Sequence, residues 1–406
     1  MMEHLAGRVN DSGIPQEKFV PESDRGERRL RQVAAWLILY LLLQAEFGLA
    51  WDRRWHDLVG RDQFWIPPHI TLYSGMAGAG FVTLLVVLLD TFRYYQGKPG
   101  VDDEATISIF GLFHAPLGFV LLGFGALTDL VAAPLDNYWH ELYGIDLTLW
   151  SPFHVMGTIG GIIAGLGLIY LFASEAAIER AYDHPGHGFL GLLPIEIGAM
   201  IALAAVMEFI LPALTTFVPI TAGSAQIPTY AMPLALAGAG CLLSIQRLTG
   251  KTGAATLTAL MVWIESLATQ TTIPTALNLV VPRTGYVYRY NTGPVFNLTI
   301  ALVPCIFLIT ALIIDGLALL GQRGKTIPRL LRGTWLPGVM IGILAALVPP
   351  FLVQLQMASS LPYEGSQVLQ PGWFNTLLGL PVALAAGLLG AFLGAFFGDI
   401  WHWNRR

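Results

Sequence analysis

The sequence predicts an all-α integral membrane protein of ten transmembrane helices, and three observations carry that prediction. Of 406 residues, 54% are hydrophobic and 12% charged, where a soluble domain carries about 25% charged residues. The apolar residues fall into ten runs of the length that a bilayer demands, about 20 residues each. Threading those runs from an inside N-terminus leaves 17 of the 22 Lys and Arg residues on the inner side, as the positive-inside rule requires. This balance excludes a water-soluble enzyme and a disordered chain, and a net charge of −5 leaves no basic footprint for nucleic acid. Cys241 and Cys305 both lie in apolar runs, so neither a disulfide framework nor a thiolate metal cluster is expected.

Residues 1–32 form a polar cytoplasmic segment of mixed charge, with no small-residue cleavage site, so the first run is read as an anchor. The runs follow at 33–50, 68–92, 105–131, 151–176, 190–214, 229–247, 253–274, 294–319, 337–357 and 375–399. Both termini are then cytoplasmic, in the cell (plasma or inner) membrane. The chain divides into this N-terminal segment, two site-bearing hairpins over 33–176, and six further spans with a short tail over 177–406. Gly157, Gly161 and Gly165 in span four, and Gly390, Gly394 and Gly398 in span ten, recur every four residues. Small residues at that spacing let helix backbones approach in lipid.

The hairpin organisation rests on an internal repeat. The first outer loop reads Asp52, Trp55, His56, Asp57, Leu58, Gly60 and Asp62, then Trp65 and Pro67-Pro68-His69. The second reads Asp136, Trp139, His140, Glu141, Leu142, Gly144 and Asp146, then Trp150 and Pro152-Phe153-His154. Both follow D-x-x-W-H-[DE]-L-x-G-x-D, a tryptophan, then P-x-H, with one residue inserted in the second copy. The later outer loops also end in proline, at Pro228, Pro294 and Pro371, where the first turn of a helix tolerates the missing N–H. Two positions after these prolines stand Tyr230, Phe296 and Trp373 in place of histidine.

Ionisable groups inside a membrane are costly and mark function. Imidazole and carboxylate are ligands for copper, iron, manganese and zinc. The repeat therefore nominates His56, His69, His140, His154, Asp52 and Asp136 as metal ligands, forming one site or two. Glu46, Asp62, Asp129, Asp146, Glu208 and Glu265 lie at the same outer level and are expected to support the ligands or to carry protons. Against this stands structural His–Asp pairing of the outer loops. The four repeat tryptophans are read first as an interfacial aromatic belt, and second as a screen around a metal. His114, nine residues into span three, is expected to be a hydrogen-bonded core residue. Asp90, Glu175, Asp315 and Asp399 lie near inner ends, where headgroup water is within reach, whereas Glu196 lies about six residues deep in span five. The aromatic, basic segment 285–291 is a candidate cap over the site.

Three functions fit these residues. The first is a metal-dependent membrane oxidoreductase, with copper or iron, acting on a hydrophobic substrate or a quinol. A haem b variant would use His69 and His154 as axial ligands. In its logic alone, histidine and aspartate ligands on transmembrane helices near one face, the arrangement resembles copper-dependent membrane monooxygenases; no motif of that family maps onto the chain residue by residue. The second is a proton- or ion-coupled transporter, which the in-membrane acids suit. The third is a non-catalytic membrane subunit or metal-handling assembly factor, docking other membrane subunits or a periplasmic partner. Beyond these, the bilayer is the one partner the composition names.

Overall fold

The computed structural model describes residues 22–60, 63–98, 105–144, 150–182, 191–211, 219–289, 293–322, 334–358 and 372–400. Their elements are α1 (Glu22–Leu58), α2 (Pro67–Tyr95), β1 (Thr106–Ile109), β2 (Phe113–Pro116), α3 (Leu117–Tyr143), α4 (Pro152–Tyr182), α5 (Pro194–Ile210), β3 (Ile220–Ala222), β4 (Ala225–Ile227), α6 (Ala231–Thr249), α7 (Ala254–Thr284), α8 (Leu298–Leu302), α9 (Cys305–Gln322), α10 (Trp335–Ala358) and α11 (Trp373–Ile400). Among the described residues the regular structure is helical apart from two short antiparallel hairpins, β1–β2 and β3–β4. Each apolar run holds a helix, and among the described residues eight helical segments are long and apolar enough to cross a membrane. The other two are α5, 17 residues long, and α7, whose 31 residues include the polar Glu265, Ser266, Thr269, Gln270, Thr271 and Thr272.

The third run departs from expectation. Residues 106–116 form β1–β2 and not the first turns of a helix, with Thr106 paired to Pro116 and Ile109 to Phe113. Ile107 and Ile109 alternate with Thr106 and Ser108, a period of two. Phe110 (φ 53°) and Gly111 (φ 67°) then close a left-handed turn. His114 accordingly sits on a strand. Its backbone N–H donates to Thr91 Oγ1 at 3.0 Å, and its ring stacks on Tyr94 with 3.5 Å between centroids. It is not a core residue inside a spanning helix.

Glycine sets the helix contacts. A side chain at Gly390, Gly394 or Gly398 of α11 would strike the backbone of Leu236, Gly240 or Ser244 on α6, so this stripe is the α6–α11 seam. Span four differs from its predicted stripe. A Cβ at Gly161 meets nothing and one at Gly165 meets a Val206 methyl. The close face of α4 is instead Gly160, Ala164 and Gly167, against Gly125 and Gly118 of α3. The α3–α4 contact turned this face inward because both helices offer small residues there.

Two proline breaks, at Pro350 and Pro304, are met by side chains from neighbouring helices. Pro350 in α10 has no N–H for the Ala346 carbonyl, and the Tyr230 hydroxyl donates to that carbonyl at 2.9 Å. Pro304 separates α8 from α9. There Ser266 Oγ donates to Ile300 O at 3.4 Å and Trp263 Nε1 to Ala301 O at 3.0 Å.

Most of the acids expected at inner ends are instead buried in polar networks. Asp90 is fully buried and receives Arg31 at 3.1 Å, while Arg31 also reaches Glu27 at 3.3 Å. Glu175 is buried beside Arg28, 4.0 Å away. Asp315 is buried and accepts from the Thr256 backbone N–H and hydroxyl. Such pairs satisfy charge where desolvation would otherwise be prohibitive, and they tie α1 to α2 and α4. Asp399 alone among these acids stays partly exposed, 3.7 Å from Arg247. Glu196 is the third residue of α5: it accepts from the Leu193 N–H and takes a two-pronged bond from Arg180, each arm 2.7 Å.

Candidate metal centres

Asp52 and His56 stand one helical turn apart on the last turns of α1, so both side chains lie on one face. Pro67 opens α2 in its first turn and puts His69 two residues in. Packing α2 antiparallel on α1 brings the three together. His69 Nε2 lies 3.1 Å from Asp52 Oδ1, and His56 Nε2 lies 3.5 Å from Asp52 Oδ2. The second hairpin repeats the device. Asp136 and His140 are one turn apart on α3, and Ser151 caps α4 by accepting from the His154 backbone N–H. His154 Nε2 and His140 Nε2 lie 3.2 and 3.3 Å from the same oxygen, Asp136 Oδ2. The ring centroids are 6.4 Å apart in the first group and 5.6 Å in the second.

In each triad the three ligand atoms lie within 4.8 Å of one another. Ligand bonds of about 2.1 Å around one ion put neighbouring donors roughly 3.0–3.4 Å apart, so the aspartate–histidine spacings accommodate a shared cation as well as direct hydrogen bonds. Tautomers sharpen the point. His69 Nδ1 lies 3.3 Å from Phe64 O, and His140 Nδ1 lies 3.3 Å from Gly144 O. A carbonyl only accepts, so Nδ1 carries the proton in each ring. A neutral ring then turns the bare lone pair of Nε2 toward a carboxylate oxygen. Two lone pairs facing each other need a positive charge between them, either a metal ion or a second proton on the ring.

The surroundings of the triads differ. Trp55 is fully buried and packs edge-on to Tyr286, with centroids 5.4 Å apart. It belongs to a satellite core with Trp51, Leu58, Val59, Ile66, Ile273, Leu277 and Val281, and is no part of an exposed belt. The segment 285–289 lies over this end of α1. Arg289 N donates to Leu58 O at 2.7 Å, and Tyr288, whose hydroxyl burial pushes above the ordinary tyrosine range, donates to Asn278 Oδ1 at 3.0 Å. Trp139 packs only half-buried against Tyr143 and Phe153 of its own hairpin. Trp65 and Trp150 are exposed, 77% and 57%, as a belt requires.

The four histidines therefore form two groups, each within one hairpin. Of the supporting acids, Glu46, Glu208 and Glu265 lie within electrostatic reach of one another. Asp129 stands two turns before Asp136 on α3 beside Gly157, and its Oδ2 is buried with no hydrogen-bond partner among the described residues. Asp62 and Asp146 lie outside the described residues. Sequence reasoning missed the carbonyls of Phe64 and Gly144, which fix the tautomers. The first has no side-chain signal; the second was open to view as the residue one turn after His140. No family model matches the chain, and neither a curated protein nor a solved structure matches it.

Proposed function

We propose that this protein is a ten-span membrane metalloprotein, both termini cytoplasmic, with two outward-facing metal centres built by a duplicated hairpin. The first centre is Asp52, His56 and His69; the second is Asp136, His140 and His154. The observation that carries this reading is the twofold convergence of one carboxylate with two imidazole Nε2 atoms, two of whose rings are held by backbone carbonyls in the metal-binding tautomer. Three protein ligands leave further coordination positions open, the pattern of a site that acts on something.

Imidazole and carboxylate favour copper or iron for redox work, and a bound metal of that kind supplies one-electron chemistry. The protein's share is to orient the rings, neutralise the ion's charge with Asp52 or Asp136, and hold the site where a hydrophobic substrate or a quinol arrives from the bilayer. A metal ion fits better than haem b, because His69 and His154 each turn Nε2 toward the aspartate of their own hairpin.

Elemental analysis with optical and paramagnetic resonance spectra of the purified protein tests the assignment. Copper or iron with resonance splitting from imidazole nitrogen is expected. A Soret band would replace the metal ions by haem, and electrogenic uptake into liposomes by metal-free protein would favour transport. Loss of metal from the protein without loss of oxidoreductase activity would assign the triads to structure or to metal handling.

A further inference from the structure

The bundle holds a second polar gathering that the triads do not use. Glu46 on α1 lies within electrostatic reach of Glu208 on α5 and Glu265 on α7, and Glu265 within that of Glu208. Arg53, two turns after Glu46 on α1, enters the same space. Its guanidinium carbon lies 5.8 Å from the ring centroid of Phe209, the neighbour of Glu208, and it faces both Glu46 and Glu208. Thr269, one turn beyond Glu265, donates to Glu208 Oε1 at 3.3 Å. Glu46 Oε1, Glu208 Oε2 and Glu265 Oε2 are closed off from solvent with no hydrogen-bond partner among the described residues, and so is Arg53 Nε. Trp263 and Ser266, flanking Glu265, anchor α7 to the carbonyls at the α8–α9 break.

We propose that Glu46, Glu208 and Glu265, with Arg53 beside the first two, form a proton-binding site inside the bundle that uses none of the triad ligands. Three ionised carboxylates with a single guanidinium nearby, itself also beside Asp52, leave at least two negative charges uncompensated in the bundle, where unpaired charge is strongly disfavoured. Three buried acceptor oxygens also lack a donor. Each proton held between carboxylates reduces both deficits: it cancels one charge, and its O–H is donated to one neighbouring oxygen. A multivalent metal ion is the poorer occupant, because a guanidinium already stands among the carboxylates. The charged groups facing the cluster are Asp52 and Asp57 beside Arg53 on α1; α5 and α7 bring Glu208, Glu265 and the Thr269 hydroxyl. Glu46 is six residues from Asp52, about 9 Å along the helix. Service to the first triad rests on the metal reading, whereas proton binding by the cluster does not.

Infrared difference spectra of the full-length protein in lipid nanodiscs, taken across a pH titration, test the proposal. A carboxylic-acid carbonyl band that shifts in heavy water is expected in the native protein. E208Q with E265Q, each a neutral near-isostere, is expected to abolish it while the metal content of the same samples stays unchanged. Absence of the band from the native protein overturns the proposal, and so does its persistence in the double variant. Displacement of the band by sodium, potassium, calcium or magnesium overturns the proton as occupant. If the double variant does not fold, E265Q alone is read the same way, with a shifted band expected and an unaltered band contradicting. Loss of metal with the band retained would count against the triads alone.

Discussion

The hairpins α1–α2 and α3–α4 carry the same three side chains at almost the same spacing and treat them differently. In the first, the aspartate offers a separate oxygen to each imidazole; in the second, one oxygen faces both rings. The first triad lies against a satellite core and beneath segment 285–289, and the His69 side chain is 9% exposed. The second depends on aromatic residues of its own hairpin, and the His154 side chain is 27% exposed. A ligand set can thus be duplicated with its aspartate and first histidine almost equally buried, while the second histidine is covered differently beside elements more than two hundred residues away in sequence.

The comparison breaks most visibly at the tryptophans. Trp55→Ala removes a fully buried ring from the satellite core and is expected to cost about 3–5 kcal/mol. Trp139→Ala, at the matching but half-buried position, is expected to cost about half as much. Thermal denaturation in one detergent or lipid system compares them, and equal losses would deny the asymmetry.

This contrast also separates what the sequence made legible from what it hid. The triads were legible because a helix places Asp52 near His56 and Asp136 near His140 by spacing alone, and a proline-opened partner helix returns each second histidine to the same level. The multi-pass helical character was legible because lipid burial demands long apolar runs, and eight of the described helical segments are long and apolar enough to span. The hairpin at 106–116 was not, since its residues are as apolar as a helix start and only the alternation of Ile107 and Ile109 gave it away. The Glu46–Glu208–Glu265 gathering was hidden as a cluster, because it depends on which distant helices pack together. The glycine seam of α3 and α4 was misplaced by one face, because two overlapping small-residue stripes run along α4 and only the partner helix selects between them.

Access gives a smaller effect. With each triad isolated by neutralising the other, Asp136→Asn leaving the first and Asp52→Asn the second, a chelator is expected to strip the second roughly tenfold faster. That factor corresponds to about 1.4 kcal/mol, the net worth of about one strap hydrogen bond. Stopped-flow release with a colorimetric chelator measures it, and equal rates would remove segment 285–289 from the account.

The smallest effect tests the strap itself. Gly60 has φ +72°, and a side chain there would strike the Arg289 side chain. Gly60→Ala is expected to cost about 1 kcal/mol from the left-handed backbone, and to speed metal release from the first triad while leaving the second unchanged. A change at both triads, in the same chelator assay, would show the loss to be global.

The most direct test counts metal per chain in the native protein, in Asp52→Asn, in Asp136→Asn and in the double variant, all purified folded in the same lipid. Two ions, one, one and none are the result expected of two independent triads. A native protein that takes up no copper or iron, or single variants that keep the native count, would contradict it and leave the triads as hydrogen-bonded aspartate–histidine pairs that fasten each hairpin.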